Sequence, residues 1–169
     1  GHNTDINGFT KAIESLNFNM KRKRILILGA GGVVPSIIFS LNKMQVADVI
    51  ISNRTRQKAE NLQIQFNNLK VIDWGNVPEF DVIINATSVG INKKEQINLD
   101  LSKVGKDKLF YDVIYNPNET NFLKMGQSLG NITENGKMMF IYQAHQAFTV
   151  WHKLMPEIND EVIKIVTND

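Results

Sequence analysis

Short runs of β-branched and aliphatic residues alternate with longer amphipathic stretches through most of the chain. Ile25–Leu28 reads as a strand and Val33–Lys43 as the helix after it. Val49–Ser52 and Arg56–Phe66 repeat that pair, and Val71 with Ile72 make a weak third strand. Asp81–Asn85 predicts a fourth strand and Lys108–Ile114 a fifth. A helix near Thr120–Leu129 and a short sixth strand at Asn131–Thr133 follow. Strand–helix alternation of this kind predicts an α/β fold: a Rossmann-like, doubly wound parallel sheet with flanking helices. Such sheets bind ligands at the carboxyl ends of their strands.

The two ends depart from that unit. Phe9–Leu16 reads as a short helix before the first strand, and Met138–Met155 followed by Asn159–Thr167 as a helical tail. The expected division is therefore a linker helix over 1–19, a nucleotide-binding domain over 20–137 and carboxyl-terminal helices over 138–169. The 169 residues suit one domain with appendages, and 43% hydrophobic content supports a buried core. Nineteen basic residues against 17 acidic ones leave a formal charge of +2, which argues against a nucleic-acid partner. The run Lys21-Arg22-Lys23-Arg24 reads as a solvated lead-in to the first strand. Without cysteine there is no thiol nucleophile, disulfide or iron–sulfur cluster, which fits a reducing, cytoplasmic setting. No apolar run is long enough for a membrane helix, so no membrane partner is expected. His2, His145 and His152 are too scattered to form a metal site.

The strongest local signal is Gly29-Ala30-Gly31-Gly32-Val33 after the first strand. A glycine turn between a buried strand and a helix lets the backbone approach a pyrophosphate, whose charge meets the helix N-terminus. The third glycine of the usual fingerprint is replaced by Val34, so helix–strand packing must adjust there. Pro35 falls in the first turn, where its missing N–H costs little. After the second strand comes Asn53-Arg54-Thr55-Arg56, with Lys58 close behind and no carboxylate to accept a ribose 2′-hydroxyl. A guanidinium there can fork onto a 2′-phosphate, so NADP is favoured over NAD as the cofactor. Ala86, Thr87 and Ser88 after the fourth strand are small enough to approach a nicotinamide, although an ordinary turn has the same composition.

Several separated motifs then converge. They are Asn3-Thr4-Asp5 with Gly8, the glycine turn, Asn53-Arg54-Thr55 and Asn85-Ala86-Thr87-Ser88. Asp112-Val113-Ile114-Tyr115-Asn116-Pro117, then Gly136, Met139, Gln143-Ala144, Phe148 and Trp151, complete the series. In order and spacing the chain resembles the shikimate dehydrogenase family over nearly its whole length. The resemblance implies reduction of 3-dehydroshikimate to shikimate with NADP, in aromatic amino-acid synthesis. It implies that Asp5 pairs with a catalytic lysine, and that Tyr115 and Gln143 face the substrate. It places Asn53, Arg54, Thr55 and Lys58 at the adenosine phosphate, and Val113, Gly136, Met139 and Ala86–Ser88 around the nicotinamide. The family's amino-terminal substrate domain carries the lysine; Lys11, Lys21 and Lys43 have no matching context, so that domain is expected to be missing here. An NAD-using quinate/shikimate dehydrogenase and a non-catalytic dinucleotide-binding module are the alternatives.

On residues alone, some of these positions have plainer readings. Asp5 suits a helix N-cap or first turn, Tyr115 a core aromatic with a wet hydroxyl, and Gln143 a helix surface. Trp74, Trp151 and Phe148 read as packing residues, and Asp112 as structural. Asn116 or Asn118 beside Pro117 is expected to cap the helix that follows.

Overall fold

A computed structural model describes residues 1–167. In chain order the elements are α1 (Asp5–Ser15), β1 (Arg24–Leu28), α2 (Val34–Lys43), β2 (Asp48–Ser52), α3 (Arg56–Gln65) and β3 (Leu69–Ile72). They continue with β4 (Val82–Asn85), β5 (Leu109–Asp112), α4 (Asn121–Ser128), β6 (Ile132–Glu134), α5 (Lys137–His152) and α6 (Asp160–Thr167). The six strands form one parallel sheet in the order β3-β2-β1-β4-β5-β6. The order reverses between β1 and β4, which opens a crevice at their carboxyl ends.

Burial follows the strand period of two. Ile25 and Ile27 of β1, Val82 and Ile84 of β4, and Leu109 and Tyr111 of β5 enter one core with α1, α2, α3 and Met139 of α5. Leu26, Leu28, Ile83 and Phe110 face the other core, which Phe122 and Leu123 of α4 share with Ile97, Leu99 and Leu101. Those last three lie in the long β4–β5 connection, which has no helix among its described residues. Aliphatic side chains at alternate loop positions thus fill a place where a crossover helix would otherwise pack. Phe9 of α1 meets Tyr111 of β5 edge to face at 5.4 Å, so α1 belongs to the same core as the sheet.

The element boundaries correct several expectations. α1 begins at Asp5, four residues before Phe9, because its first turn is polar and carries no apolar period. β3 begins at Leu69, a buried residue that pairs with Val49. β4 begins at Val82, and β6 runs one residue later than read from sequence. β5 ends at Asp112, where the Ile114 N–H turns back to that carboxylate at 3.0 Å. α5 ends at His152 rather than Met155, since Lys153 adopts a left-handed φ of 58° and closes the helix. Thr120, not Asn116 or Asn118, caps α4: its hydroxyl accepts from the Leu123 N–H at 3.3 Å. Val34 is completely buried, and the close approach occurs instead at Gly29, whose φ is +104°. A Cβ there would lie 2.8 Å from the Ala86 carbonyl oxygen, so only glycine lets β1 turn against the β4 loop.

The amino ends of the strands are clasped by charge. The Asp81 carboxylate accepts from the Arg24 N–H at 2.8 Å and from its guanidinium at 3.3 Å, with Lys108 Nζ 3.5 Å away. Burial pushes the Asp81 carboxyl up, but Arg24 and Lys108 outweigh it and hold the group below the usual range. No helix among the described residues is long and apolar enough to cross a membrane.

Candidate functional site

Two recesses open at the carboxyl edge of the sheet. The larger, about 720 Å³, lies over the β1–β4 crevice. Gly29, Ala30 and Gly31 form its floor, Asn53, Arg54, Thr55 and Lys58 one wall, and Ala86, Thr87 and Ser88 the other. Asn53 braces the glycine turn: its Oδ1 accepts from the Ala30 N–H at 3.1 Å, and its Nδ2 donates to the Thr55 carbonyl at 2.7 Å. The two β-strand exits are therefore held together by one carboxamide. On the opposite wall, completely buried Asn85 accepts from the Thr87 N–H and hydroxyl at 3.1 and 2.7 Å. Its Nδ2 donates to Asp112 at 3.0 Å and to the Val89 carbonyl at 3.2 Å. Asp112 also accepts from the Thr120 hydroxyl at 2.7 Å. Burial pushes its carboxyl up, and these hydrogen bonds only partly offset that rise. Asp112 is thus structural, as its strand-end position suggested.

The cationic residues divide in a way that sequence alone did not settle. Arg56 is committed to Glu60, at 2.7 Å, and to Asp73. Arg54 makes no ion pair among the described residues and lies on the cleft wall with Lys58. A free guanidinium beside a free ammonium fits a dianionic phosphate. At the turn itself, a Cβ on Gly32 would meet nothing within 4 Å and one on Gly31 only an atom at 3.8 Å, so this backbone faces open space. An accessible peptide backbone leading into α2 fits a pyrophosphate.

The second recess, about 290 Å³, brings together Asp5, Val33, Val113, Tyr115, Gly136, Met139, Phe140 and Gln143. These residues come from α1, the glycine turn, the β5 exit and α5. Gly136 makes this convergence possible. A Cβ there would fall 2.0 Å from the Val113 carbonyl oxygen, and its own N–H donates to the Ile114 carbonyl at 3.0 Å. Tyr115 is half exposed and stacks on Phe140, centroids 4.5 Å apart and 16° from parallel, which holds its ring at the pocket mouth. Below the pocket, burial pushes the Tyr111 hydroxyl up, with Glu134 and Asp112 adding to the shift. Burial also raises Glu134.

Of the residues assigned above to the cofactor, the substrate or the proton transfer, all but Gly32 line one recess or the other. Trp74, Val89, Glu95, Gln96 and Asn98 also line the larger cleft and were not anticipated there. Trp74 gave a signal, since it closely follows the third strand; the other four come from the irregular β4–β5 connection, which has no period to read. Phe140 is the addition to the smaller pocket; it lies one residue past Met139 on α5. The histidines stand apart: His145 Nε2 is 2.8 Å from the Pro156 carbonyl, and His152 packs on Phe148. Among the described residues no group of three or more His, Asp or Glu side chains could hold a metal ion.

A parallel sheet with this strand order, a glycine turn at its crevice and a second, mainly apolar recess beyond define a Rossmann-like α/β domain. The family model described as Shikimate / quinate 5-dehydrogenase matches residues 11–120. The chain belongs to that family. It is 53% identical to a shikimate dehydrogenase (NADP(+)) of Pelagibacter ubique over 166 residues, covering 98% of this chain and 63% of the relative. The crystal structure of shikimate dehydrogenase from Aquifex aeolicus superposes with a TM-score of 0.86 at 34% identity, covering 100% of this chain and 62% of that one. A Thermus thermophilus shikimate 5-dehydrogenase in complex with NADP(H) and shikimate gives a TM-score of 0.85 at 28% identity, over 99% of this chain and 62% of that one. The chain thus spans under two thirds of the length of these relatives.

Proposed function

We propose that the protein carrying this chain is an NADP-dependent shikimate dehydrogenase that interconverts 3-dehydroshikimate and shikimate. The observation that carries the reading is the pair of recesses on one sheet edge, joined through the glycine turn that contributes Gly31 to one and Val33 to the other. A cofactor laid across that turn has its phosphate end at Arg54 and its reactive end at the smaller pocket. The names of the relatives and the Thermus thermophilus complex support the same assignment.

Bound NADP supplies the hydride acceptor for oxidation of a secondary alcohol. Arg54 and Lys58 bind the 2′-phosphate, and the backbone of Ala30–Gly32 receives the pyrophosphate. Val113, Gly136, Met139 and Ala86–Ser88 enclose the nicotinamide. Tyr115 and Gln143 are neutral hydrogen-bonding groups that orient a hydroxylated ring acid without adding charge beside the hydride path. The alcohol proton requires a base. Asp5 holds that base, a lysine of the amino-terminal substrate domain, by charge. The Asp5 carboxylate makes no side-chain hydrogen bond among the described residues and lines the pocket, so it is free for that partner.

Calorimetric titration of the 169-residue chain with NADP, followed by a shikimate oxidation assay on the same preparation, tests the reading. The expected result is binding without turnover, with turnover appearing in the full-length protein. Failure to bind NADP overturns the cofactor assignment, and substantial turnover by the chain alone overturns the role given to Asp5.

A further inference from the structure

The α1–α5 crossing is close enough to leave no room for a side chain at Gly8. A Cβ on Gly8 would lie 2.6 Å from the Met139 carbonyl oxygen and 2.8 Å from Gln143 Cβ. Gln143 therefore leaves α5 directly against the α1 backbone. One turn earlier on α1, Thr4 accepts the Gly8 N–H through its carbonyl at 2.9 Å, and its hydroxyl donates to Gln143 Oε1 at 3.2 Å. Thr4 occupies the N-cap position of α1, yet its side chain makes no capping hydrogen bond. The usual reason for a threonine at that place is absent here. Its neighbour Asn3 is used in a parallel way: Nδ2 donates to Ser36 of α2 at 3.0 Å, while Oδ1 accepts from the Asp5 N–H at 3.0 Å.

A carboxamide has one accepting end and one donating end, and nothing in its shape distinguishes them. With Oε1 engaged by Thr4, the two N–H donors of Nε2 remain for the pocket that Gln143 lines. We propose that Thr4 is a positioning residue that orients the Gln143 amide, so that the pocket offers a donor to an oxygen acceptor on the ring of the bound hydroxy acid. This rests on the shikimate dehydrogenase reading above and adds to it the polarity of one substrate contact and the residue that sets it.

The test uses the full-length protein, with KM and kcat for shikimate and the Kd for NADP measured separately. Thr4→Val keeps the side-chain shape, removes the hydroxyl and sacrifices no cap. It is expected to raise KM about five- to tenfold, the scale of one hydrogen bond, while the NADP Kd stays within about twofold. Thr4→Ser is expected to restore KM. Gln143→Glu keeps an acceptor for Thr4 but loses the donor, and is expected to raise KM at least as much as Thr4→Val. An unchanged KM in Thr4→Val, a parallel loss of NADP affinity, failure of Thr4→Ser to restore, or a wild-type KM in Gln143→Glu would each overturn the proposal alone. A wild-type protein that oxidises no shikimate overturns the functional reading, and this proposal with it.

Discussion

Replacing Arg54 by alanine isolates cofactor choice from everything else the cleft does. Arg54 and Lys58 share one wall of the larger recess, and Arg54 has no ion pair to lose among the described residues. Its removal should leave folding stability nearly unchanged, because an exposed side chain with no partner holds nothing in place. One charge-assisted hydrogen bond to a phosphate is worth about 1.5–3 kcal/mol. The cleft is open to solvent and Lys58 stays behind, so the lower half of that range applies, a loss of about ten- to fiftyfold in NADP affinity. NAD lacks the 2′-phosphate and should lose little. Arg56→Ala is the matched control: it breaks contacts with Glu60 and Asp73 outside the phosphate site. It should cost under about 1 kcal/mol of stability and leave the NADP–NAD ratio intact. Calorimetric titration of both variants with both nucleotides gives the comparison. Equal weakening of NADP and NAD in Arg54→Ala, or a loss of NADP preference in Arg56→Ala, would refute the reasoning.

Other perturbations read different parts of the molecule. In the full-length protein, Asp5→Asn should lower kcat with little change in the NADP Kd, since it weakens the hold on the proton acceptor; steady-state kinetics with separate cofactor binding decides, and unchanged turnover returns Asp5 to a first-turn acid. Gly136→Ala places a Cβ against a backbone carbonyl that no rotamer can relieve, and should cost about 1–3 kcal/mol in thermal or urea unfolding. Asp81→Asn should cost about 1–2 kcal/mol at pH 7, because the Arg24 N–H and guanidinium both lose a charged acceptor. The Asp81 carboxyl is held below its usual range, so the folded state binds its proton less readily than the unfolded chain. Its contribution is therefore complete above the unfolded value of about 3.9 and is lost as pH falls through the lower folded value. Urea melts of wild type and variant should converge as pH drops below about 4; a constant difference would show that charge is not the cause.

The parts legible in sequence share one property: their signal is local. β1 and β4 read as buried strands because both their faces are covered, which leaves continuous apolar runs. The glycine turn and the Asn53-Arg54-Thr55 box were readable because strand, turn and cleft-lining residues are neighbours in the chain. Where the deciding partner is distant, the pattern was silent. That Arg56 pairs with Asp73, 17 residues away, while Arg54 has no ion pair among the described residues, cannot be read from the run Asn53–Arg56. The α1 start was hidden because the stretch before Phe9 is mostly polar and includes Gly8, whose lack of a side chain is explained only by the distant α5 backbone. The cleft residues Glu95, Gln96 and Asn98 arrive on a connection whose only periodic feature is the apolar trio at 97, 99 and 101.

The contact between Thr4 and Gln143 spans 139 positions of sequence. Closing so long a loop costs roughly 1–2 kcal/mol more than closing the strand pairings of the sheet. Every strand pairing of the sheet joins residues closer along the chain, from Ile25 with Val82 down to Val49 with Leu69. A folding chain can therefore complete the sheet and the floor of the larger cleft before α1 and α5 meet. The smaller pocket needs both helices, so it is expected to form after the sheet and to be lost before it. Mild destabilisation should yield a species that still holds its nucleotide and has no place for a second ligand, so the order in which the two ligands are released on unfolding is written into the distance between the chain segments that make each site.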